Sequence, residues 1–245
     1  MTVRSLRLGL LYPDYSAQDD FQRIGAQVRP PATMELVQVG GDEYGRQNES
    51  PSDNGDADSL LTGATTLRER GVDAVMWAST SGSFVRGLGG ARAQARAVKE
   101  LSGAPASSTS LAFAAAAAAL GLWRVAVAAT YPPDVAAMFS LLLSESGIEV
   151  VHTGALGIAT RSDARALGRD AVLRLATSSD HASAEAVLLP DTALHTVAWL
   201  DDLEAAVGKT VLTANQVTVW QGLQLAGCTV HQEGLGTLFR SGATS

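Results

Sequence analysis

The sequence predicts an α/β fold of two pseudo-symmetric lobes, each a parallel sheet flanked by helices, with a cleft between them. Seven apolar runs of strand length recur along the chain, and most are continuous in Val, Leu, Ile and Ala rather than alternating with polar residues. Strands that are buried on both faces show this pattern, which is typical of parallel sheets. Helical patterns lie between the runs, and the strand–helix order repeats in two halves, 6–103 and 123–208.

The first half contains three of the predicted strands, which cover 6–12, 34–39 and 72–78. A helix is predicted over 56–70, because this segment has one apolar face and is followed by Gly71, a residue suited to a helix end. The polar segment 40–58 is rich in Gly, Ser, Asn and Asp. It is predicted to be a surface loop, with a lid over the cleft as the alternative.

The second half contains the other four predicted strands, which cover 124–129, 149–153, 184–189 and 210–213. Helices are predicted over 133–146 and 161–176, the second opened by a cap at Ser162 or Asp163. A last helical segment, 214–227, is predicted to pack back on the first half. We therefore predict one lobe from 1–108 plus 213–245 and a second lobe from 109–212.

Composition and charge exclude several classes of function. The chain has 245 residues, of which 46% are apolar and 18% charged, as in ordinary soluble globular proteins. Its net charge of −7 argues against a nucleic-acid partner and an anionic membrane surface. Cys228 is the single cysteine and the four histidines lack metal-ligand spacing, so we expect no disulfide framework and no metal site.

The sequence lacks the motifs that would predict a membrane segment or a bound cofactor. Residues 1–5 lack the apolar core of a secretory signal, and the longest apolar stretch, 111–127, is interrupted by Gly121 and Arg124. The chain has no P-loop and no dinucleotide-binding glycine motif after its first strand. We expect a cytoplasmic protein without cofactor or membrane partner, and the sequence leaves open whether it forms a homo-oligomer.

Two short segments that follow predicted strands carry the functional signal. They are Ser-Thr-Ser-Gly-Ser-Phe at 79–84 and Pro-Asp-Thr-Ala-Leu at 190–194. Small hydroxyl residues at the carboxyl end of a parallel strand supply hydroxyl and backbone N–H groups where open α/β sheets bind ligands. Because the two segments fall in different predicted lobes, we expect them to face one cleft.

The sequence Val-Asp-Ala-Val-Met-Trp-Ala-Ser-Thr-Ser-Gly-Ser-Phe at 72–84 resembles the first active-site segment of a known family. That family is the arylmalonate decarboxylase and maleate isomerase branch of the Asp/Glu racemase superfamily. Four further segments match in order and spacing: 9–13, 124–135, 186–194 and 215–220. The resemblance implies two lobes that enclose a small carboxylate substrate and chemistry that needs no cofactor.

The chain departs from this family at both cysteine positions. Racemases and isomerases of the family use two cysteines, one in each lobe, and the decarboxylase keeps only the second. By motif position the first falls at Ser79 and the second at Asp191. Serine without an adjacent base is a poor proton shuttle, so Ser79 is expected to act as a hydrogen-bond donor. Asp191 can carry a proton, but to act as an acid it needs burial or nearby negative charge.

The resemblance implies that Thr80, Ser81 and Tyr131 hydrogen-bond a substrate carboxylate and stabilise an enediolate. Donors aimed at developing negative charge are often the largest catalytic contribution. The other candidates for substrate contact are the N–H groups of Thr192 and Ala193, the pocket-mouth residues Pro13 and Asp14, and the amide donors Asn215 and Gln216. Helix capping and packing are the alternative roles, with Asp191 as the cap of a helix near Leu194.

We therefore expect a cofactor-independent enzyme that acts on a small carboxylic acid through an enolate-like intermediate, nearest to a decarboxylase or lyase. Asp191 is the expected acid or base. One alternative is an isomerase or racemase with non-thiol chemistry, and another is a catalytically inactive carboxylate-binding protein. The substitution Asp191→Asn separates them, since an enzyme loses turnover while it keeps its ligand and a binding protein changes little.

Overall fold

The first sheet is parallel and has four strands in the part of the chain that the structure describes. This computed structural model describes residues 5–14, 16–40 and 54–241, with side chains from residue 58 in the last range. The strands are β1 (Leu6–Tyr12), β2 (Ala32–Gln38), β3 (Ala74–Trp77) and β4 (Ala106–Ser108), in the order β2-β1-β3-β4. Because β1 lies inside the sheet, Leu8 pairs with Met34 on one side and Ala74 on the other.

The second sheet repeats the topology of the first. Its strands are β5 (Arg124–Ala129), β6 (Glu149–Ala155), β7 (Ala186–Leu189) and β8 (Thr210–Thr213), and all of their pairings are parallel. They lie in the order β6-β5-β7-β8, which is the order of the first sheet transferred to the second half of the chain. The predicted fold class, two similar α/β lobes with parallel sheets, is therefore confirmed.

Helices connect the strands of both sheets. They are α1 (Gln18–Gln27), α2 (Asn54–Arg70), α3 (Ser81–Phe84), α4 (Gly87–Ser102), α5 (Thr109–Ala119), α6 (Pro133–Glu145), α7 (Arg161–Arg165), α8 (Arg169–Ser178), α9 (Leu200–Val207), α10 (Ala214–Leu225) and α11 (Gly236–Arg240). A short 3-10 turn covers Val197–Trp199. None of the described helices has the length and hydropathy of a membrane-spanning segment.

Two local predictions are corrected by the structure. The helix expected over 161–176 is two helices, α7 and α8, because the chain is extended at Gly168. The cap of α7 is Thr160, whose Oγ1 accepts a hydrogen bond from the Asp163 N–H at 3.1 Å, and neither Ser162 nor Asp163 caps it. The lid alternative rested on the segment 40–58, most of which lies outside the described residues, and α2 begins at Asn54.

Aromatic side chains join the two lobes in one hydrophobic core. Phe84 of α3 lies 5.7 Å from Phe139 of α6 between ring centroids, and Phe113 of α5 lies 5.3 Å from the same ring. All three are buried. Helix α10 contacts α1 and β3 in the first lobe, and α5 contacts both α10 and α6. The division of the chain at 108 and 212 therefore remains an interpretation, since α5 packs on both sides of it.

Candidate active site

The carboxyl ends of the central strands of both sheets meet between the lobes. Tyr12, at the end of β1, donates a hydrogen bond from its hydroxyl to the Thr192 carbonyl oxygen, just beyond β7, at 2.7 Å. Tyr131, just beyond β5, packs its ring against Phe84 of α3, with the centroids 5.8 Å apart. The structure therefore brings the segments 79–84 and 190–194 to the same place, which is where parallel α/β sheets bind ligands.

Ser79 shapes the first segment through its own side chain. Its Oγ accepts a hydrogen bond from the Gly82 N–H at 3.1 Å, so the hydroxyl satisfies a free N–H group at the start of α3. The space beside Gly82 is narrow, because a Cβ added there would lie 2.7 Å from the Trp77 ring. Ser79 is therefore a structural acceptor here, and its predicted role as a donor to substrate remains a prediction.

Thr80 presents a buried hydroxyl in the same segment. Its carbonyl oxygen accepts a hydrogen bond from Ser110 Oγ at 2.8 Å, and Ser110 Oγ in turn accepts from Ser83 Oγ at 2.6 Å. These bonds hold the backbone, yet Thr80 Oγ1 has no hydrogen-bond partner among the described residues, although Thr80 is 1% exposed. Buried hydroxyls are normally hydrogen-bonded, so this oxygen is suited to a ligand. Ser81 is buried beside it.

Asp191 is a buried carboxylate held by two donors. It is 2% exposed, and its Oδ1 accepts a hydrogen bond from the Ala193 N–H at 2.8 Å. Its Oδ2 accepts a short hydrogen bond from the hydroxyl of Thr130, the residue that follows β5. The two hydrogen bonds fix the orientation of the carboxyl group. The side chain thus points into the protein rather than into bulk solvent.

The alternative role of Asp191 as a helix cap is wrong. The next residues form a turn, in which the Leu194 N–H donates to the Asp191 carbonyl oxygen at 3.3 Å, and regular structure resumes only at Val197. The N–H of Ala193 is engaged by Asp191 itself. Ala193 therefore orients the carboxylate instead of supplying the substrate donor that we predicted.

Tyr131 contacts both segments. Its ring packs on α3, while its hydroxyl donates to the Pro190 carbonyl oxygen at 2.7 Å, one residue before Asp191. The tyrosine is buried. Its hydroxyl hydrogen can reach a substrate oxygen only by turning from Pro190, so donation to substrate remains a prediction for this residue.

Arg161 is a site residue that the sequence did not reveal. Its Nε donates to Asp14 Oδ2 at 2.8 Å and its Nη2 to Asp14 Oδ1 at 3.2 Å, a bidentate pair between the lobes. The Arg161 Nη2 also lies 3.4 Å from Thr192 Oγ1. The side chain of Arg161 is 7% exposed and that of Asp14 is 35% exposed. Sequence periodicity placed Arg161 at an ordinary helix start, and its partners are too distant in sequence to be inferred.

The charges of this pair are linked through their pKa values. Partial burial acts to raise the pKa of Asp14, but the hydrogen bonds and the positive charge of Arg161 outweigh burial and leave that pKa lowered. Burial acts to lower the pKa of Arg161, and the hydrogen bond to Asp14 together with the negative charges of Asp191 and Asp14 raises it overall. Asp14 is thus an ionised partner of Arg161, next to the buried Pro13, and the predicted place of both at a pocket mouth remains a prediction.

Asn215 and Gln216 have structural partners instead of facing a ligand with their amide donors. Asn215 Nδ2 donates to Asp20 Oδ2 and to the Leu194 carbonyl oxygen, both at 3.1 Å. Gln216 Oε1 accepts from the Thr213 N–H at 3.1 Å, as part of a capping box at the start of α10. Its Nε2 donates to the Leu235 carbonyl oxygen at 2.7 Å. We therefore leave both residues out of the site proposed below.

Comparisons with known proteins agree with this architecture. The family model described as arylmalonate decarboxylase matches residues 51–239. The arylmalonate decarboxylase of Bordetella bronchiseptica is 28% identical over 188 residues, which cover 74% of this chain and 77% of that protein.

Solved structures share the fold of the chain. A structure of unliganded arylmalonate decarboxylase superposes with a TM-score of 0.81 at 24% identity, covering 97% of this chain and 100% of that one. The maleate isomerase Iso of Pseudomonas putida S16 superposes with a TM-score of 0.82 at 19% identity, covering 96% of this chain and 98% of that one. At these identities the similarity shows the two-lobed fold alone.

Proposed function

The chain belongs to the arylmalonate decarboxylase family, and we propose that it is a cofactor-independent enzyme that decarboxylates a small malonate-class acid through an enediolate. The observation that carries this proposal is the pairing of two buried groups at one junction of strand ends. These are the unpartnered hydroxyl of Thr80 and the carboxylate of Asp191. Tyr131 lies against both segments and links them.

The Thr80 side of the site stabilises the negative charge. In the proposed reaction the bond between the α-carbon and one carboxylate breaks, CO₂ leaves, and the electron pair moves onto the carboxylate that stays. Thr80 Oγ1, assisted by Ser81 and Tyr131, donates hydrogen bonds to the oxygens of the resulting enediolate. Donors that are fixed before the reaction stabilise such charge strongly in a site that excludes water. The Ser110 hydroxyl fixes this backbone, as its hydrogen bond to the Thr80 carbonyl oxygen indicates.

The Asp191 side of the site delivers the proton. The Thr130 hydroxyl and the Ala193 N–H hold the Asp191 carboxyl group in position. In the proposed reaction Asp191 takes up one proton from water and presents it to the bound substrate. The enediolate is a far stronger base than a carboxylate, so the proton passes from Asp191 to the α-carbon and regenerates the anion.

The same donors favour a second candidate function, proton abstraction. A carboxylate that is oriented by two hydrogen bonds is suited to remove a proton from the carbon next to a substrate carboxylate. Ser79 Oγ accepts from Gly82 and is hydrogen-bonded to no base among the described residues, so it offers no second proton-transfer group opposite Asp191. This chemistry is a one-sided exchange or isomerisation without thiols.

One experiment in deuterated water tests both candidates. The protein is incubated with phenylmalonate, methylmalonate, maleate and phenylacetate, while CO₂ release and deuterium at the α-carbon are followed. Decarboxylation predicts CO₂ release and one deuterium in the product, and proton abstraction predicts deuterium exchange without CO₂. Asp191→Asn should lower either rate about 10²–10⁴-fold and leave ligand binding intact.

The matched control is Asp170→Asn, the same change at an exposed carboxylate on α8. It should leave the rates unchanged. Full activity in Asp191→Asn contradicts the mechanism. Binding without CO₂ release or exchange on any of these acids supports the catalytically inactive carboxylate-binding protein.

A further inference from the structure

The guanidinium of Arg161 is nearly enclosed, yet the protein uses only part of its hydrogen-bonding capacity. Three of its five N–H groups are directed at described residues, one from Nε and one from Nη2 to Asp14 and the other from Nη2 to Thr192. Among the described residues none accepts a hydrogen bond from Nη1. The side chain of Arg161 is 7% exposed, and the two N–H groups of Nη1, which have no acceptor among the described residues, are available to a bound molecule.

This guanidinium belongs to the wall of the candidate site. It contacts Thr192, the residue that directly follows Asp191, and it lies 5.8 Å from the centroid of the Tyr12 ring. The Tyr12 hydroxyl in turn donates to the Thr192 carbonyl oxygen. The positive charge of Arg161 therefore pairs with Asp14 and also interacts electrostatically with Asp191.

A role as a simple clamp between the lobes does not account for these features. Asp14 follows β1 and Arg161 begins α7, so the pair does join the lobes. A buried ion pair contributes little to stability once the loss of hydration is included. An ion pair that only joins the lobes needs no more than the Nε and Nη2 groups that bind Asp14. It gives no reason for the guanidinium to lie near Asp191.

We propose that Arg161 determines substrate specificity by binding a carboxylate on the α-substituent of the substrate. This inference rests on the proposed function and narrows its substrate class to malonates with an acidic substituent. The carboxylate that leaves as CO₂ is a poor candidate for the same contact, because a cation would stabilise it in the ground state and oppose its loss. The substituent keeps its charge throughout the reaction, so Arg161 can bind it without that penalty.

The test compares two substrates that match in size and differ in charge. Ethane-1,1,2-tricarboxylate carries a carboxymethyl substituent, and its mono-amide carries the neutral carbamoylmethyl group in the same place. The wild-type kcat/KM, measured by CO₂ release, should favour the acid about 10–100-fold, the range of a charge-assisted hydrogen bond. Arg161→Gln should abolish this preference by lowering kcat/KM for the acid about 10–100-fold more than for the amide.

Matched variants separate specificity from folding. Arg165→Gln removes an exposed arginine from the same helix and should keep the wild-type preference. Asp14→Asn retains Arg161 and removes its competing carboxylate, so it should increase the preference for the acid. If Arg161→Gln does not fold, the acid-over-amide preference of Asp14→Asn tests the inference by itself. Equal losses on acid and amide in Arg161→Gln, or an unchanged preference in Asp14→Asn, overturn the inference.

Failure of the proposed function is recognised separately. If the wild type releases CO₂ from neither substrate, nor from phenylmalonate or methylmalonate, decarboxylation is overturned, and the dissociation constants of succinate and succinamate are compared by calorimetry. Release of CO₂ from phenylmalonate or methylmalonate but not from the tricarboxylate overturns the specificity inference instead. Tighter binding of succinate that is lost in Arg161→Gln supports the role of Arg161 without the reaction. Equal dissociation constants for the two analogues overturn it.

Discussion

Replacing Asp20 with Ala should lower the free energy of unfolding by about 3–5 kcal/mol, because this side chain joins the two lobes. Asp20 lies on α1 and is buried. Its Oδ2 accepts hydrogen bonds from the Thr196 N–H at 2.8 Å, the Val197 N–H at 3.2 Å and Asn215 Nδ2 at 3.1 Å. Each buried donor left without an acceptor costs about 1–3 kcal/mol, and water that enters the vacated space offsets part of the sum.

The substitution Asp20→Asn separates the shape of this side chain from its charge. Asparagine keeps one side-chain oxygen that can accept from Thr196, Val197 and Asn215, and it removes the charge whose burial raises the pKa of Asp20. We expect the unfolding free energy of this variant to lie within about 1 kcal/mol of the wild type at neutral pH.

The contribution of Asp20 to the unfolding free energy should change with pH in one direction. Burial raises the pKa of Asp20, and the hydrogen bonds from Thr196, Asn215 and Val197 offset only part of that rise. A carboxyl group whose pKa is higher in the folded state binds its proton more tightly there. Its stabilisation is therefore complete below the unfolded pKa and is lost as pH rises through the folded pKa. Relative to Asp20→Asn, the wild type should lose stability from about pH 4 upward.

Urea unfolding followed by circular dichroism measures these differences. The wild type, Asp20→Ala and Asp20→Asn are compared at several values between about pH 4 and pH 8, with the slope of free energy against urea checked for each. The assignment of Asp20 as the shared acceptor between the lobes is refuted if Asp20→Ala lowers the unfolding free energy by less than about 1 kcal/mol. It is also refuted if Asp20→Asn lowers the unfolding free energy as much as Asp20→Ala does.

Two further substitutions test the site and the fold. Thr80→Val should lower the decarboxylation rate about 10²-fold or more, because it removes the proposed donor to the enediolate. The unfolding free energy should stay within about 1 kcal/mol of the wild type, because the Thr80 hydroxyl has no partner among the described residues. An undiminished kcat would count against Thr80 as an anion donor. Gly71→Ala should lower the unfolding free energy by about 1 kcal/mol, since Gly71 has a φ of +64° and the space beside it is open; urea unfolding with no loss would show that the backbone relaxes there.

The strands could be predicted where both faces of the strand are buried. The structure has β1, β5 and β8 with the predicted bounds, because continuous apolar runs have few other stable environments. Strand β4 was missed, since Ala106–Ser108 is short and partly polar and becomes a strand only by pairing with β3. The helix predicted over 161–176 is broken at Gly168, a change that apolar periodicity does not report.

The candidate site could be predicted in part. Sequence patterns placed Thr80 and Asp191 in one candidate site, because each lies shortly after the end of a buried strand and parallel strands end at one edge of a sheet. Arg161 was missed because its partner Asp14 is 147 residues away in the sequence. Asn215 was assigned to the ligand for the same reason, since its acceptor Asp20 lies 195 residues away.

The amino-acid sequence alone determined the class of fold, the doubled order of strands and helices, and the two segments that carry the hydroxyl groups and the carboxylate. These properties depend on neighbours along the chain, such as apolar continuity and the residues that follow a strand. The tertiary structure decided which groups are free to meet a ligand. The Thr80 hydroxyl has no partner in the part of the chain that the structure describes, while the amide donors of Asn215 and Gln216 are engaged by the protein. That outcome depends on hydrogen bonds between distant segments, which form only when the two lobes pack together.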